Sequence, residues 1–483
     1  MCKGSFFYPF QFETVLMQNI IKNKRLAVTC AAFLLAYCFF QFFYPYHLIR
    51  REQLTLFLYD INYILDAYSG PGWLARLACD FLEQFFCLPA AGPVVIALPL
   101  VAIGNVSYSF FRCFSGKRLS LLLSFLLFIW SFLRETDSQF STRYTVVMLA
   151  YLSLLLLVFS CRRDWKRLIL ALLLIPLSVW AFGTPFHQYY GRVAGTPDYK
   201  IEKVMALDIE ASRENWDKVL RLAEDDPKIN EASYFYNLAN AMKGRLGEKL
   251  LDYSQNYTRS LFLWVSDKSS PFINSIAGEV WYHLGDMTLA EQSMMVGLQA
   301  SPKHSGAKFI KRLAQINLIT GEYGAARKYL SMLEHTLKYH KWAVDMLPLT
   351  TSCCENEWLK DKRSKLSNTD IISDMADIRP ILLGLLDACR DNSAAHEYLL
   401  CYDLMNLDLV SFMEDLTPEM METPLYQEAA LIWLNLVNDN DLSRIDVASY
   451  GIDKKTVDRL YRFYKMPETY RNTYWYYYMS HTM

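Results

Sequence analysis

The chain has 483 residues, 53% of them hydrophobic and 20% charged, which leaves room for two or three domains. Its formal net charge of −1 is unevenly divided. Residues 1–182 hold 16 of the 49 Lys and Arg residues but only 9 of the 50 Asp and Glu residues. The C-terminal part is therefore mildly acidic, and it contains no basic cluster. Since nucleic-acid binding needs concentrated positive charge, the composition excludes nucleic acid as a partner.

Five apolar runs lie within residues 1–182, and the longer ones approach the roughly 20 residues that a helix needs to cross a bilayer. They are residues 26–44, 93–111, 119–133, 144–161 and 168–182. A single short run is typical of a soluble core helix, but five in series predict a bundle of about five transmembrane helices. No run has Asp, Glu, Lys, Arg or His in its interior, which indicates an anchor rather than an ion-coupled transporter.

Basic residues between the runs predict the orientation of the bundle. They fall before the first run, between the second and third, and between the fourth and fifth: Lys3, Lys22, Lys24, Arg25, Arg112, Lys117, Arg118, Arg162, Arg163, Lys166 and Arg167. The positive-inside rule then places the N-terminus in the cytoplasm, and five crossings place the C-terminal domain outside it. If one short run fails to cross, the C-terminal domain changes side.

Residues 47–91 form a loop between the first two runs and combine acids with many aromatic and leucine residues around a Ser-Gly-Pro-Gly turn at 69–72. This pattern predicts two amphipathic helices on the outer membrane surface, with the acids on the water-facing side. A catalytic alternative remains, because membrane-embedded glycosyltransferases place catalytic carboxylates in the first external loop, near a lipid-linked donor. Under that alternative, Glu52, Asp60 and Asp66 are the catalytic residues of a membrane transferase.

Residues 183–200 are predicted to form a linker, and residues 201–483 show helical periodicity with few strand signals. Three segments align with one another, at 212–220, 284–292 and 320–328. Each has a polar or glycine turn, then a large apolar residue, then a small or apolar residue three positions later. The second and third segments are 36 residues apart, close to the roughly 34 residues of a tetratricopeptide repeat.

These turns resemble those of the tetratricopeptide-repeat (TPR) superfamily, most clearly over residues 273–333. The layout of the whole chain is also similar to uncharacterised bacterial inner-membrane proteins with an N-terminal helical bundle and an external helical-repeat domain. The first resemblance implies an α-solenoid whose first helices line a concave groove for a protein or peptide.

The partner-binding groove is predicted at polar residues of two such first helices: Tyr234, Asn237, Asn240, Lys243, Lys308 and Arg312. Asn and Lys side chains are suited to binding a peptide backbone or a carboxylate. The alternative is that these residues form ordinary solvated helix faces.

No nucleotide-binding, zinc-protease or serine-hydrolase motif occurs in the sequence, so neither a cofactor nor a metal is expected. The adjacent pair Cys353 and Cys354 leaves two possibilities open: a disulfide to Cys389 or Cys401, or buried thiols. The aromatic tail at 470–479 is predicted to fold back onto the last helices or onto the membrane half, and an exposed partner-binding tail is the alternative.

Together these patterns predict an all-α protein of the bacterial inner (cytoplasmic) membrane. The transmembrane domain, residues 1–182, contacts membrane lipid, and the soluble TPR-like domain, residues 201–483, is periplasmic. The predicted function is that of a non-catalytic scaffold or protein-interaction module of the cell envelope, with the membrane transferase as the alternative.

Overall fold

The computed structural model describes residues 25–137, 140–160, 164–183, 195–224, 230–265, 271–301, 304–351, 356–367, 377–439, 441–442 and 445–482. Over these residues the secondary structure is helical, with short turns and 3-10 segments and without any β-strand. The all-α prediction is confirmed. The chain divides into two compact units, Met1–Glu202 with His335–Lys338, and Lys203–Glu334 with Tyr339–Met483.

The first unit contains eight of the described helices, and a ninth begins near its end. They are α1 (Arg25–Phe43), α2 (Pro45–Leu54), α3 (Ile61–Ala67), α4 (Trp73–Glu83), α5 (Ala91–Phe111), α6 (Lys117–Glu135), α7 (Thr142–Ser160), α8 (Asp164–Phe182) and α9 (Tyr199–Ala211). The core of this unit joins α1, α5 and α6 through side chains such as Phe40, Leu100 and Phe128. Helix α5 also packs against α7, and α4 packs against α7 and α8.

Four of the five predicted transmembrane segments correspond to helices long and apolar enough to cross a membrane: α1, α5, α7 and residues Trp165–Phe182 of α8. Helix α6 is not among them, so four of the five expected spans are found in the described residues. The apolar stretch of α6 is only residues 119–133, and charged pairs bound it at both ends, Lys117 with Arg118 and Arg134 with Glu135. This stretch falls short of the roughly 20 residues that a crossing needs.

The second unit continues α9 and contains the remaining described helices. They are α10 (Trp216–Glu224), α11 (Asn230–Ala241), α12 (Leu246–Lys249), α13 (Pro271–Leu284), α14 (Met287–Ala300), α15 (Ala307–Thr320), α16 (Tyr323–Glu334), α17 (His340–Met346), α18 (Glu357–Ser364), α19 (Ile378–Ala388), α20 (Ser393–Met405), α21 (Leu409–Asp415), α22 (Pro424–Val437), α23 (Lys454–Lys465) and α24 (Tyr474–Thr482). Consecutive helices pack as neighbours, most extensively α13 with α14 and α15 with α16.

One type of turn recurs in the second unit. The connections α9–α10, α11–α12, α13–α14, α15–α16 and α20–α21 each contain a residue with left-handed φ, between 60° and 109°: Glu214, Gly244, Gly285, Gly321 and Leu407. At Gly285 a Cβ atom would also lie 2.1 Å from the carbonyl oxygen of Lys365, so glycine is needed there twice over. The small or apolar residue predicted after each aligned turn is buried in all three segments, as Val219, Ala290 and Ala326.

The aromatic tail folds back onto the last helices, which confirms the packed form of that prediction. The amide N–H of Tyr474 donates to Glu428 of α22 at 2.8 Å, and the indole N–H of Trp475 donates to the carbonyl of the same residue at 3.0 Å. Trp475 lies in a core with Leu431, Leu460 and Phe463. The tail thus closes the end of the second unit.

Candidate functional site

The three carboxylates proposed for the catalytic alternative lie in different surroundings. Glu52 is buried on α2, and one of its oxygens lies 2.6 Å from the ammonium of Lys338. Asp60 is the N-cap of α3, where it accepts a hydrogen bond from the amide of Tyr63 at 2.8 Å. Asp66 is exposed near the end of the same helix. No described contact joins these three carboxylates. Glu52 forms an ion pair, Asp60 caps a helix and Asp66 is exposed, so they do not form one cluster.

The prediction that the acidic residues of 47–91 face water is wrong for three of the five. Glu52, Asp80 and Glu83 are all buried. The hydroxyl of Tyr68 donates to Asp80 at 2.8 Å, and the hydroxyl of Thr55 donates to Glu83 at 2.8 Å. Burying a carboxylate is costly unless hydrogen bonds or opposite charges replace its water, and these donors do so.

Three side chains of α4 could together bind a metal ion, because their donor atoms lie within 4.8 Å of one another: Cys79, Asp80 and Glu83. Each already has a partner within the protein. Asp80 and Glu83 accept the hydroxyl hydrogen bonds just described, and the sulfur of Cys79 lies 3.8 Å from the hydroxyl of Ser141. We assign no ion to this cluster, since these contacts account for the donors without one.

A second buried polar cluster joins α2 to α6 and α7 and was not found by sequence reasoning. The guanidinium of Arg51 lies 2.5 Å from the carboxylate of Glu135, and it also donates to Thr142 at 2.9 Å and to the carbonyl of Phe140 at 2.6 Å. Thr145 donates to the second oxygen of Glu135. The two charged partners are 84 positions apart, so only the fold reveals the pair.

The N-terminus of α2 is capped by a residue from α9. The two oxygens of Glu202 accept the amide hydrogen bonds of Tyr46 and His47, at 2.7 and 2.8 Å. Burial raises the pKa of Glu202 to about 8, although both backbone donors favour its charged form. The contact satisfies two amides that a helix N-terminus otherwise leaves unpaired.

The predicted groove residues on α11 are interior side chains, which contradicts their assignment to an accessible surface. Tyr234, Asn237 and Asn240 are at most 1% exposed. The hydroxyl of Tyr234 donates to the carbonyl of Ile276 on α13 at 3.0 Å, and Asn237 donates to the carbonyl of Ser260 at 2.9 Å. They join neighbouring segments of the second unit.

The groove residues on α15 are buried in the same way. The ammonium of Lys308 lies 2.6 Å from Asp208 of α9, and the guanidinium of Arg312 lies 2.6 Å from Glu279 of α13. Burial opposes the ionisation of Glu279, but the charges of Arg312, Lys308 and Lys362 and the hydrogen bond from Arg312 together outweigh it and hold the pKa of this carboxyl below its usual value.

Lys243 is the only one of the six groove residues with substantial exposure. It is 30% exposed and pairs with Asp217 at 2.5 Å. The groove prediction is wrong for the other five because a polar stripe on a first helix has two possible causes. It occurs on a solvated binding face, and it also occurs where neighbouring helices exchange hydrogen bonds and charges in the interior.

An exposed apolar row lies on the outer side of α23 and just beyond it, and sequence reasoning missed it. Tyr461, Tyr464 and Met466 are 54%, 62% and 62% exposed, whereas Leu460 and Phe463 of the same helix are buried in the core. The signal was the spacing of Tyr461 and Tyr464, which places both on one stripe of the helix, beside the apolar stripe that contains Leu460 and Phe463. We call this set, Tyr461, Tyr464 and Met466, the α23 row.

The structure describes two of the four cysteines in the predicted disulfide alternatives. Cys353 and Cys354 lie outside the residues that the structure describes. Cys389 and Cys401 are free thiols, and Cys401 is buried, with its sulfur 3.8 Å from the hydroxyl of Tyr426. Burial raises the pKa of the Cys401 thiol well above its usual value, which makes this side chain an inert core residue at neutral pH.

Comparison with known proteins gives a family and no function. No curated protein matches the chain, and no solved structure matches it. A family of unknown function, DUF6057, matches residues 20–194 and residues 184–481. These two stretches together include most of both compact units, and the chain therefore belongs to the DUF6057 family of unknown function.

Proposed function

We propose that the protein is a membrane-anchored scaffold whose second unit docks another protein in the bacterial cell envelope. The apolar helices of the first unit embed in the inner membrane as a bundle. The helix pairs of the second unit form a TPR-like solenoid, which the recurring left-handed turns support. The α23 row is the docking surface, and it is the observation that carries this proposal.

The composition of the α23 row suits a protein partner. Tyr and Met are enriched at protein–protein interfaces, and Tyr is a frequent hot-spot residue. Contiguous exposed apolar side chains are otherwise disfavoured on a folded surface. The same helix carries five basic residues against one acid, at Lys454, Lys455, Arg459, Arg462, Lys465 and Asp458. This local basic cluster corrects the expectation that the acidic C-terminal part contains none. The expected partner therefore presents an apolar patch bordered by acidic groups.

Site-directed photocrosslinking in intact cells tests the docking surface. A photoreactive amino acid at position 464 of the full chain should give a discrete adduct with one protein. The same probe at Val410, an equally exposed apolar position at 61% exposure, should not give that adduct. The double change Tyr461→Ser and Met466→Ser should abolish the adduct without lowering the amount of protein, because both side chains are more than half exposed. Adducts with lipid alone, or identical adducts from 464 and 410, would refute the scaffold.

We place the second unit in the periplasm on the basis of five crossings that include α6. The support is the alternation of the basic segments. If α6 stayed on one side, Arg162 and Arg163 would lie opposite Lys22 and Lys24, against the positive-inside rule. Paired topology reporters fused after Gly116 and after Asp137 test this placement. A cytoplasmic signal at the first and an external signal at the second are expected, and a cytoplasmic signal at both would overturn the periplasmic placement.

The transferase alternative gives a different result in one pair of variants. Glu52→Gln keeps the size of the side chain and removes the charge that pairs with Lys338. Asp66→Asn changes a solvated acid. If the protein is a scaffold, we expect Asp66→Asn to change neither function nor protein level and Glu52→Gln to lower the amount of folded protein. A transferase would instead lose function in both variants while the protein level stays unchanged.

A further inference from the structure

A groove of about 510 Å³ lies among α1, α5 and α6 of the first unit. Most of its lining is apolar, including Val28, Ala32, Val101, Leu122, Phe125 and Phe128. Its volume is within the range of small-molecule sites. Two of its three walls, α1 and α5, belong to helices long and apolar enough to cross a membrane, and the third wall is the apolar stretch of α6. The groove could therefore accept a hydrocarbon chain.

The two charged groups of the groove lie where α1 and α6 begin, and its other polar side chains lie along α1, α5 and α6. Arg25 and Arg118 both line the groove, and both side chains are exposed. Arg25 is held in place by Asn105 and Ser109 of α5, each 3.4 Å from its guanidinium, and it lies 5.0 Å above the ring of Tyr108. The hydroxyl of Thr29 also donates to Asn105, at 3.2 Å. One Arg is thus preorganised beside a second one at the same end.

The apolar wall continues away from this basic end. Ala32 lies two helical turns beyond Arg25 on α1, which is about 10 Å along the helix axis. On α6, Leu122, Phe125 and Phe128 follow Arg118 at spacings of three or four residues and so lie on one face. The groove therefore combines a cationic end with an apolar channel.

We propose that this groove binds one anionic phospholipid, with its phosphate at Arg25 and Arg118 and an acyl chain along α1, α5 and α6. The proposal commits to a lipid because charge and apolarity are arranged as in a phospholipid, and basic pockets between membrane helices recognise anionic headgroups. It rests on the proposed membrane insertion of the first unit. Alkaline carbonate extraction of each variant from membranes checks insertion separately from lipid binding.

Native mass spectrometry of the full chain in detergent tests the groove, with phosphatidylglycerol and phosphatidylcholine as probes. The wild-type protein should retain one phosphatidylglycerol on the order of tenfold more tightly than phosphatidylcholine. Arg25→Gln with Arg118→Gln should abolish this preference. The matched control, Arg112→Gln with Lys117→Gln, makes the same charge change at exposed residues outside the groove lining and should keep it.

Two further variants separate the groove from general surface charge. Gly104 faces the groove, and a Cβ atom there would lie 3.7 Å from that of Phe128, so Gly104→Leu should fill the channel without backbone strain. It should reduce binding of phosphatidylglycerol while both arginines remain. A photoreactive residue at position 125 should give a lipid adduct. Equal affinity for the two lipids, equal effects of the two double variants, or crosslinking of position 125 to this chain or to a second copy would each overturn the proposal.

Discussion

Lys308 is the position at which a structural role and a partner-binding role differ most. Its ammonium lies 2.6 and 2.7 Å from the two oxygens of Asp208, and the side chains are 6% and 0% exposed. The carbonyl of Ser275 adds a third contact at 3.3 Å. Lys308→Met keeps most of the apolar stem but leaves the Asp208 carboxylate buried without its ammonium. We therefore expect the loss to appear in stability.

The magnitude follows from the burial of both partners. Removing one member of a buried ion pair costs about 3–5 kcal/mol, because the other charge stays desolvated. At about 1.4 kcal/mol per factor of ten, amide hydrogen exchange in α9 and α15 should become roughly a hundred- to a few thousand-fold faster. The assay is hydrogen-exchange mass spectrometry of the full chain in detergent, read at peptides from these two helices.

Lys243→Met is the matched control, because Lys243 was assigned to the same groove but pairs with an exposed carboxylate. Asp217 is 82% exposed, so solvent replaces the contact and exchange should stay within about threefold of the wild-type rate. Adding Asp208→Asn to Lys308→Met should restore part of the protection, since a neutral amide costs less to bury. Equal exchange in Lys308→Met and Lys243→Met would refute the interpretation of Lys308 as an interior ion-pair residue.

Three further predictions concern the second unit and use the same exchange assay, corrected for intrinsic rates. Burial raises the pKa of Glu428 from 4.5 to about 7, so the protonated carboxyl stabilises the fold most below pH 4.5. About 3 kcal/mol of the free energy of unfolding is lost as the pH rises to about 7, and Glu428→Gln should flatten this pH dependence at α24. Trp475→Ala should destabilise the tail by about 3–5 kcal/mol, whereas Tyr476→Ala, which is only half-buried, should cost clearly less; equal losses would contradict the core assignment of Trp475. Gly278→Ala should destabilise the α13–α14 contact, because its Cβ would lie 2.7 Å from that of Ser293, while Gly324→Ala meets no atom within 4 Å and should be neutral or stabilising.

Local patterns were enough to predict the helical class and the turns. At Gly285 and Gly321 the turn depends on a few neighbouring residues, so a glycine between two periodic segments was enough to predict it, and both glycines have left-handed φ. The left-handed Glu214 shows that the same turn also forms without glycine, which a search for glycine alone would miss. The aromatic tail was likewise predictable, because several large apolar rings are unfavourable at a free end.

The polar residues were harder to place, because their environment depends on partners far along the chain. Asp208 and Lys308 are separated by 100 positions, and Glu52 and Lys338 by 286. Each residue alone has the sequence signature of a solvated side chain. Burial became favourable only when the fold brought opposite charges together, and no spacing rule within one helix contains that information.

Helix α6 shows how the same limitation affects the membrane topology. A count of charged residues weighs Arg134 and Glu135 against a crossing, since each isolated charge is costly at membrane depth. In the structure Glu135 is 0% exposed and is paired with Arg51, and the guanidinium of Arg134 lies 4.7 Å from the ring of Phe140 and 5.3 Å from that of Trp130. The charges at this end are therefore neutralised or covered by the protein itself, and the cost that composition assigns to them is overstated. That pairing, together with the alternating basic segments, supports the proposal that α6 is a fifth crossing.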